Sequence, residues 1–195
     1  VAEAQDLQYV PAILKEIEES AKERGTGIAK RSPEYIKTKM QEGKAVIALT
    51  KEGTWAGLCY IEAWGHGKFV ANSGLIVAPH FRKYGLATLI KNEIFKLSRT
   101  KFPESKIFGL TTGAAVMKIN SSLGYIPVSY SDLTDDEEFW KGCNSCVNVE
   151  ILKSKNRLNR QTEDELLLST IYELFRVGLG MVGNNYLTSL RFLPR

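Results

Sequence analysis

One stretch constrains this chain more than any other. In residues 72–90, NSGLIVAPHFRKYGLATLI, an apolar strand pattern stops at Pro79, crosses a short basic loop and restarts as a helix behind Gly85. Such a junction leaves the N–H groups of the first helical turn without partners and turned toward the loop. The helix dipole adds partial positive charge at the same place, which suits a phosphate or pyrophosphate. Gly85 permits close backbone approach, Ala87 keeps the helix start uncrowded, and Arg82 and Lys83 supply cations. An R-x-x-G-x-A pattern alone recurs by chance, but between this strand and this helix it is far more specific. Residues 77–87 are therefore expected to cradle an anionic group.

The flanking pattern places that junction in a fold. Val10, Ile13, Leu14 and Ile17 predict a helix over residues 7–21. After a polar stretch, Ser32 caps a second helix that carries Pro33 at its first position and runs to Gln41. AVIALT, WAGLCYIEAW and FVANSGLIVAP follow as three strands joined by glycine turns, the pattern of an antiparallel meander. Leu86, Leu89, Ile90, Ile94 and Leu97 mark an amphipathic helix that ends before Pro103. Then come a strand over 106–112, a helix over 114–123 stopped by Gly124, and a strand over 126–130. An acidic helix over 132–140, with Thr134 as cap, and a strand over 147–152 complete the series. The order implies an α/β fold with a mixed, mostly antiparallel sheet flanked by helices.

The tail differs. Residues 153–160 are basic and read as a linker, and 163–177 form a helix apolar over too wide an arc for one buried stripe. Residues 178–195 show no period. The expected organisation is a domain over 1–153 and an appendage over 154–195, whose helix packs on the domain with a homodimer contact, or meets a partner surface.

Composition bounds the functional classes. A content of 44% hydrophobic and 25% charged residues supports an ordinary globular core. The net charge of +4 is mild and dispersed, so no nucleic-acid partner is expected. Three cysteines without a leader-like start suggest a reducing, cytoplasmic setting. No apolar run nears the roughly 20 residues a membrane-spanning helix needs, and no membrane partner is expected. Cys143 and Cys146 are spaced like half a zinc site, but with only Cys59, His66 and His80 left as typical ligands they read as reduced structural thiols, and no metal is expected.

With the residues in view, the sequence resembles the GNAT superfamily of acetyltransferases. Val77-Ala78-Pro79 followed by Arg82-Lys83-Tyr84-Gly85-Leu86-Ala87 is similar to that family's acyl-CoA-binding motif. Leu123-Gly124-Tyr125 before a strand resembles its leucine-glycine-aromatic signature. The similarity covers residues 5–152 in element order. It implies a sheet splayed open between the strand ending at Pro79 and the strand over 106–112, with acetyl-CoA, or a close acyl-CoA, in the opening. By the resemblance, backbone groups of Leu75, Ile76 and Val77 hold the pantetheine and polarise the thioester. The amides of residues 82–87 hold the pyrophosphate. Overall similarity to bacterial members linked to arginine biosynthesis implies a small amine acceptor bearing a carboxylate, such as glutamate.

Acyl transfer to an amine needs a route for the amine proton and a donor for the leaving thiolate. Glu62, among apolar neighbours on the strand before the motif, is the first candidate base, directly or through water. His66, in the adjacent turn, is the second. Many relatives carry a tyrosine four residues before the glycine of leucine-glycine-aromatic, and here that position is Asn120. An amide can hydrogen-bond a thiolate but is a poor proton donor. The alternatives are Ser121, Tyr125 or water as the proton donor, or a thiolate that leaves unprotonated. For the acceptor, Arg24, Lys30 and Arg31 form a glycine-containing basic loop suited to gripping a carboxylate. The alternatives are acetylation of a protein N-terminus or lysine, and a non-catalytic acyl-CoA-sensing module.

Overall fold

The computed structural model describes residues 1–24, 31–111, 114–128 and 180–183. The elements expected over 132–140, 147–152 and 163–177 lie outside them, as do Cys143 and Cys146.

The first helix, α1 (Val10–Arg24), starts later than its apolar spacing suggests, because a 3-10 segment (Ala4–Tyr9) precedes it. Helix α2 (Pro33–Gln41) begins as expected, with Ser32 Oγ accepting a hydrogen bond from the Tyr35 N–H at 3.1 Å. Strands β1 (Ala45–Leu49), β2 (Trp55–Trp64) and β3 (Phe69–Val77) form the antiparallel meander. Helix α3 (Leu86–Lys101) crosses to β4 (Lys106–Leu110), which lies parallel to β3. Helix α4 (Ala114–Ser122) leads to β5 (Tyr125–Val128). A last strand, β6 (Gly180–Gly183), arises from a segment with no sequence period and pairs antiparallel with both β4 and β5. The mixed sheet has the order β1-β2-β3-β4-β6-β5.

Two cores cover the two faces of the meander. On one, Val10, Ile13 and Ile17 of α1 and Ile36 and Met40 of α2 pack on Leu58, Tyr60 and Ile76. On the other, Ile90 and Ile94 of α3 pack on Cys59, Ile61, Val70 and Ile107. Gly57 lets α3 come close, since a Cβ there would lie 2.6 Å from Ile90 Cδ1. The buried face of α3 is Ile90, Lys91, Ile94 and Ser98. Of the expected stripe, Leu89 is exposed instead, and Leu86 and Leu97 are only partly buried. Ser98 is buried because it bonds Asn72 of β3, and Lys91 is buried beside Asn72 and Tyr125, neither of which a hydrophobic period can register.

The sheet opens where the sequence implied. Strands β3 and β4 pair only from Phe69↔Lys106 to Ala71↔Phe108, after which each continues without the other. A bulge in β3 falls at the same level: Leu58 pairs with Ile76 but Tyr60 with Ser73. Gly74 in the bulge has φ +64°, and a Cβ there would sit 2.0 Å from Tyr60 Cε1. Among the described residues no helix is long and apolar enough to cross a membrane.

Candidate active site

The cradle forms beyond the unpaired end of β3. After Val77 the chain makes a 3-10 turn (Pro79–Phe81), and Lys83 and Gly85 take positive φ of 69° and 79°. No side chain caps α3 at Gly85, and no N–H from Lys83 to Ala87 is bonded to protein among the described residues. Alternating left-handed residues turn successive N–H groups toward one side, which makes an anion-binding concavity at a helix N-terminus. A Cβ on Gly85 would meet nothing within 4 Å, so the space beside it is open. Tyr84 projects from this loop and is 82% exposed.

Arg82 does something other than expected. Its Nε donates to Val77 O at 3.0 Å, and its terminal nitrogen donates to Glu16 Oε1 at 2.6 Å and Ser20 Oγ at 3.0 Å. The side chain ties the loop to α1, and Glu16 answers its charge. Lys83 is left as the cation of the cradle.

Leu75, Ile76 and Val77 line the opening from β3. Ile76 and Val77 register with β2 along one edge only, opposite Leu58 and Gly57, and the other edge faces the gap left by β4.

Glu62 lies at the apex of the opening. It is opposite Ala71, which is itself in the last rung shared with Phe108. Its side chain points to the α1/α2 face, where the Tyr35 hydroxyl donates to Oε1 and Lys39 Nζ lies 3.0 Å from Oε2. Tyr35 and Lys39 are one turn apart on α2, so the Ser32 cap that sets α2 also aims both at Glu62. Burial pushes the Glu62 carboxyl up to about 7, with the Arg31 guanidinium pulling the other way. Burial also lowers the Lys39 ammonium, as do its neighbours Lys44 and Arg31.

Arg31 completes the cluster. Its Nε donates to the Tyr60 hydroxyl at 2.9 Å and its guanidinium lies 5.2 Å from the Tyr35 ring centre. Tyr35 and Tyr60 meet edge to face at 5.9 Å. Beside them Trp64 stacks on Phe108 at 5.8 Å. Of the other acceptor candidates, Arg24 ends α1 and Lys30 lies outside the described residues.

The remaining candidates separate. His66 is exposed in the turn at the closed, paired end of β3 and β4, away from the opening. Asn120 is fully buried on the opposite face of the sheet from Glu62, and neither polar atom of its amide has a partner among the described residues. Ser121 is exposed. The Tyr125 hydroxyl donates to Asn72 Oδ1 at 2.8 Å, and burial pushes it well above the ordinary tyrosine range, so it is a poor acid.

Tyr35, Lys39 and Tyr60 escaped the sequence reading. The available signals were the i, i+4 spacing of Tyr35 and Lys39 and the i, i+2 spacing of Tyr60 and Glu62. Neither says which elements meet. Among the described residues no group of three or more His, Cys, Asp or Glu side chains could hold a metal.

No family model and no curated protein matches the sequence. Solved structures do match the fold. Rv2747 from Mycobacterium tuberculosis, complexed with CoA and NLQ, superposes with a TM-score of 0.60 at 16% identity, over 93% of this chain and 95% of that one. N-acetylglutamate synthase from Neisseria gonorrhoeae, complexed with coenzyme A and N-acetyl-glutamate, gives 0.57 at 15% identity, over 93% of this chain but 33% of the synthase. A GNAT superfamily phosphinothricin acetyltransferase from Sinorhizobium meliloti, in complex with AcCoA, gives 0.53 at 17% identity, over 63% of this chain and 72% of that one. With the splayed sheet and the cradle at its mouth, these matches establish that the chain has the fold of the GNAT superfamily of acetyltransferases.

Proposed function

We propose that the protein transfers an acetyl or short acyl group from acyl-CoA to the amine of a small substrate bearing a carboxylate, of which glutamate is the leading example. The pyrophosphate occupies the N–H groups of residues 83–87 and the thioester lies along residues 75–77. Glu62 takes the amine proton, directly or through water.

The observation that carries this reading is the half-buried cluster of Glu62 with Arg31, Tyr35 and Lys39. A carboxyl pushed up to about 7 is poised to accept a proton near neutral pH. Arg31 is fixed through Nε by Tyr60, and its two terminal NH groups, which have no hydrogen-bond partner among the described residues, suit a bidentate carboxylate. The N-acetyl-glutamate bound by the gonococcal synthase is a product of the same chemical class. CoA release should follow addition of glutamate-like amines to protein and acetyl-CoA. Arg31→Ala should raise KM for such an acceptor about tenfold or more, the worth of a lost charged hydrogen bond, with KM for acetyl-CoA unchanged. Equal turnover with uncharged amines would refute the acceptor class.

A second reading has one observation behind it. Asn120 offers no good proton donor where relatives carry tyrosine, which suits a non-catalytic acyl-CoA sensor. Acetyl-CoA would then raise Tm without any amine promoting CoA release.

A further inference from the structure

Lys91 is the most unusual side chain in the molecule. It is 1% exposed, within the apolar face of α3, and no ion pair among the described residues involves it. Among the described residues its Nζ has a single long hydrogen bond, 3.5 Å to Asn72 O, and it lies 5.6 Å from the Tyr125 ring centre. Burying an unpaired ammonium is unfavourable, so a fold that keeps one needs a reason.

Its position supplies one. Asn72 and Gly109 are the first residues past the last rung, Ala71↔Phe108, so they form the two sides of the apex of the opening. A Cβ on Gly109 would lie 3.1 Å from Asn120 Nδ2 and 3.7 Å from Lys91 Nζ. The unpartnered amide of Asn120 and the ammonium of Lys91 thus converge on one point between β3 and β4. Glu62 stands at the same level on the other face of the sheet. The groups around Lys91 are Cys59 from β2, Asn72 from β3, Asn120 from α4 and Tyr125 from β5, and none is a carboxylate.

We propose that Lys91 is the cation that receives the leaving thiolate of CoA, with the Asn120 amide hydrogen-bonding the same sulfur. The proposal rests on the acyl-transfer reading above. When the tetrahedral intermediate collapses, the carbon–sulfur bond breaks and its electron pair stays on sulfur. The Lys91 ammonium holds that thiolate as an ion pair and the sulfur takes its proton from water on release, while the proton removed from the acceptor amine leaves through Glu62. One N–H and one C–S bond are replaced by one N–C and one S–H bond.

The test is the titration of the CoA thiol bound to the full chain, followed by ultraviolet absorbance of the thiolate. It needs no knowledge of the acceptor. A cation within about 4–6 Å should make the bound thiol titrate about 1–3 pH units below free CoA. Lys91→Met should return it to the free value or higher while CoA still raises Tm. Burying methionine in place of an unpaired ammonium should not impair folding, and Lys91→Gln serves as a second variant. Turnover with a competent amine should fall about 100-fold or more in both. A bound thiol that titrates like free CoA in the wild type, or equally low in either variant, overturns the role of Lys91. Failure of CoA to shift Tm of the wild type would instead defeat the donor reading, and this proposal with it.

Discussion

The Lys39 ammonium lies 3.0 Å from the Glu62 carboxylate, in a site where burial disfavours the charge on both. The carboxyl is held at its two oxygens by Tyr35 and Lys39, and burial pushes it up to about 7 against the opposing charge of Arg31. Replacing it should therefore change the pH dependence of the reaction as well as its rate.

With a saturating amine, kcat should rise with pH and level off above about 7, because in the proposed mechanism only ionised Glu62 accepts the proton. Glu62→Gln should lower kcat by about 100-fold or more and remove that limb, with KM for acetyl-CoA little changed. Tyr35→Phe removes a donor to the ionised form, so its limb should move to higher pH. An unmoved limb in Tyr35→Phe would mean that Glu62 is not the group being titrated.

The same carboxyl makes a stability prediction. Its folded value, about 7, lies above the ordinary 4.5, so between these values the folded state holds a proton that the unfolded state has released. The contribution is full below the unfolded value and is lost as pH rises through the folded one. Wild type should therefore lose stability relative to Glu62→Gln as pH rises from about 5 to 7, by at most about 1.4 kcal/mol per pH unit. Urea unfolding at stepped pH measures the difference, and a constant difference would contradict it.

At the cradle, Gly85 has φ +79° with open space where a Cβ would be. Valine there costs about 1–2 kcal/mol for the left-handed backbone and puts a side chain where the pyrophosphate is proposed to lie. Gly85→Val should fold but bind acetyl-CoA more than tenfold more weakly, as read by calorimetry. Unchanged affinity would place the cofactor elsewhere.

Gly74 couples the bulge to Tyr60 and, through it, to Arg31. A Cβ there would overlap the Tyr60 ring, to which Arg31 is bonded. Gly74→Ala should lose about 2–4 kcal/mol in urea unfolding, from backbone strain plus overpacking. Displacing Tyr60 should also raise KM for the acceptor more than KM for acetyl-CoA. Equal effects on the two would uncouple Tyr60 from acceptor binding.

Much of this architecture was legible in the chain, for identifiable reasons. Ser32-Pro33 marks α2 because cap and first-turn chemistry are local, and Pro79 and Gly85 bracket the cradle in the same way. The meander follows from alternation and short glycine turns. What was not legible depends on elements meeting across the fold. The cations expected to grip the cofactor included Arg82, which instead binds Glu16, 66 residues earlier in the chain. Leu89 fits the α3 stripe by spacing yet faces outward, whereas Lys91 is buried because Asn72, Gly109 and Tyr125 converge on it. Strand β6 owes its place to β4 and β5, not to any period of its own.

The most direct test of the account follows CoA release from acetyl-CoA across a panel of free amines, with wild type and Glu62→Gln side by side. The account predicts release with glutamate or a similar carboxylate-bearing amine, one N-acetyl product per CoA, and loss of about 100-fold or more in Glu62→Gln. A wild-type protein that binds acetyl-CoA yet releases no CoA with any amine would contradict it.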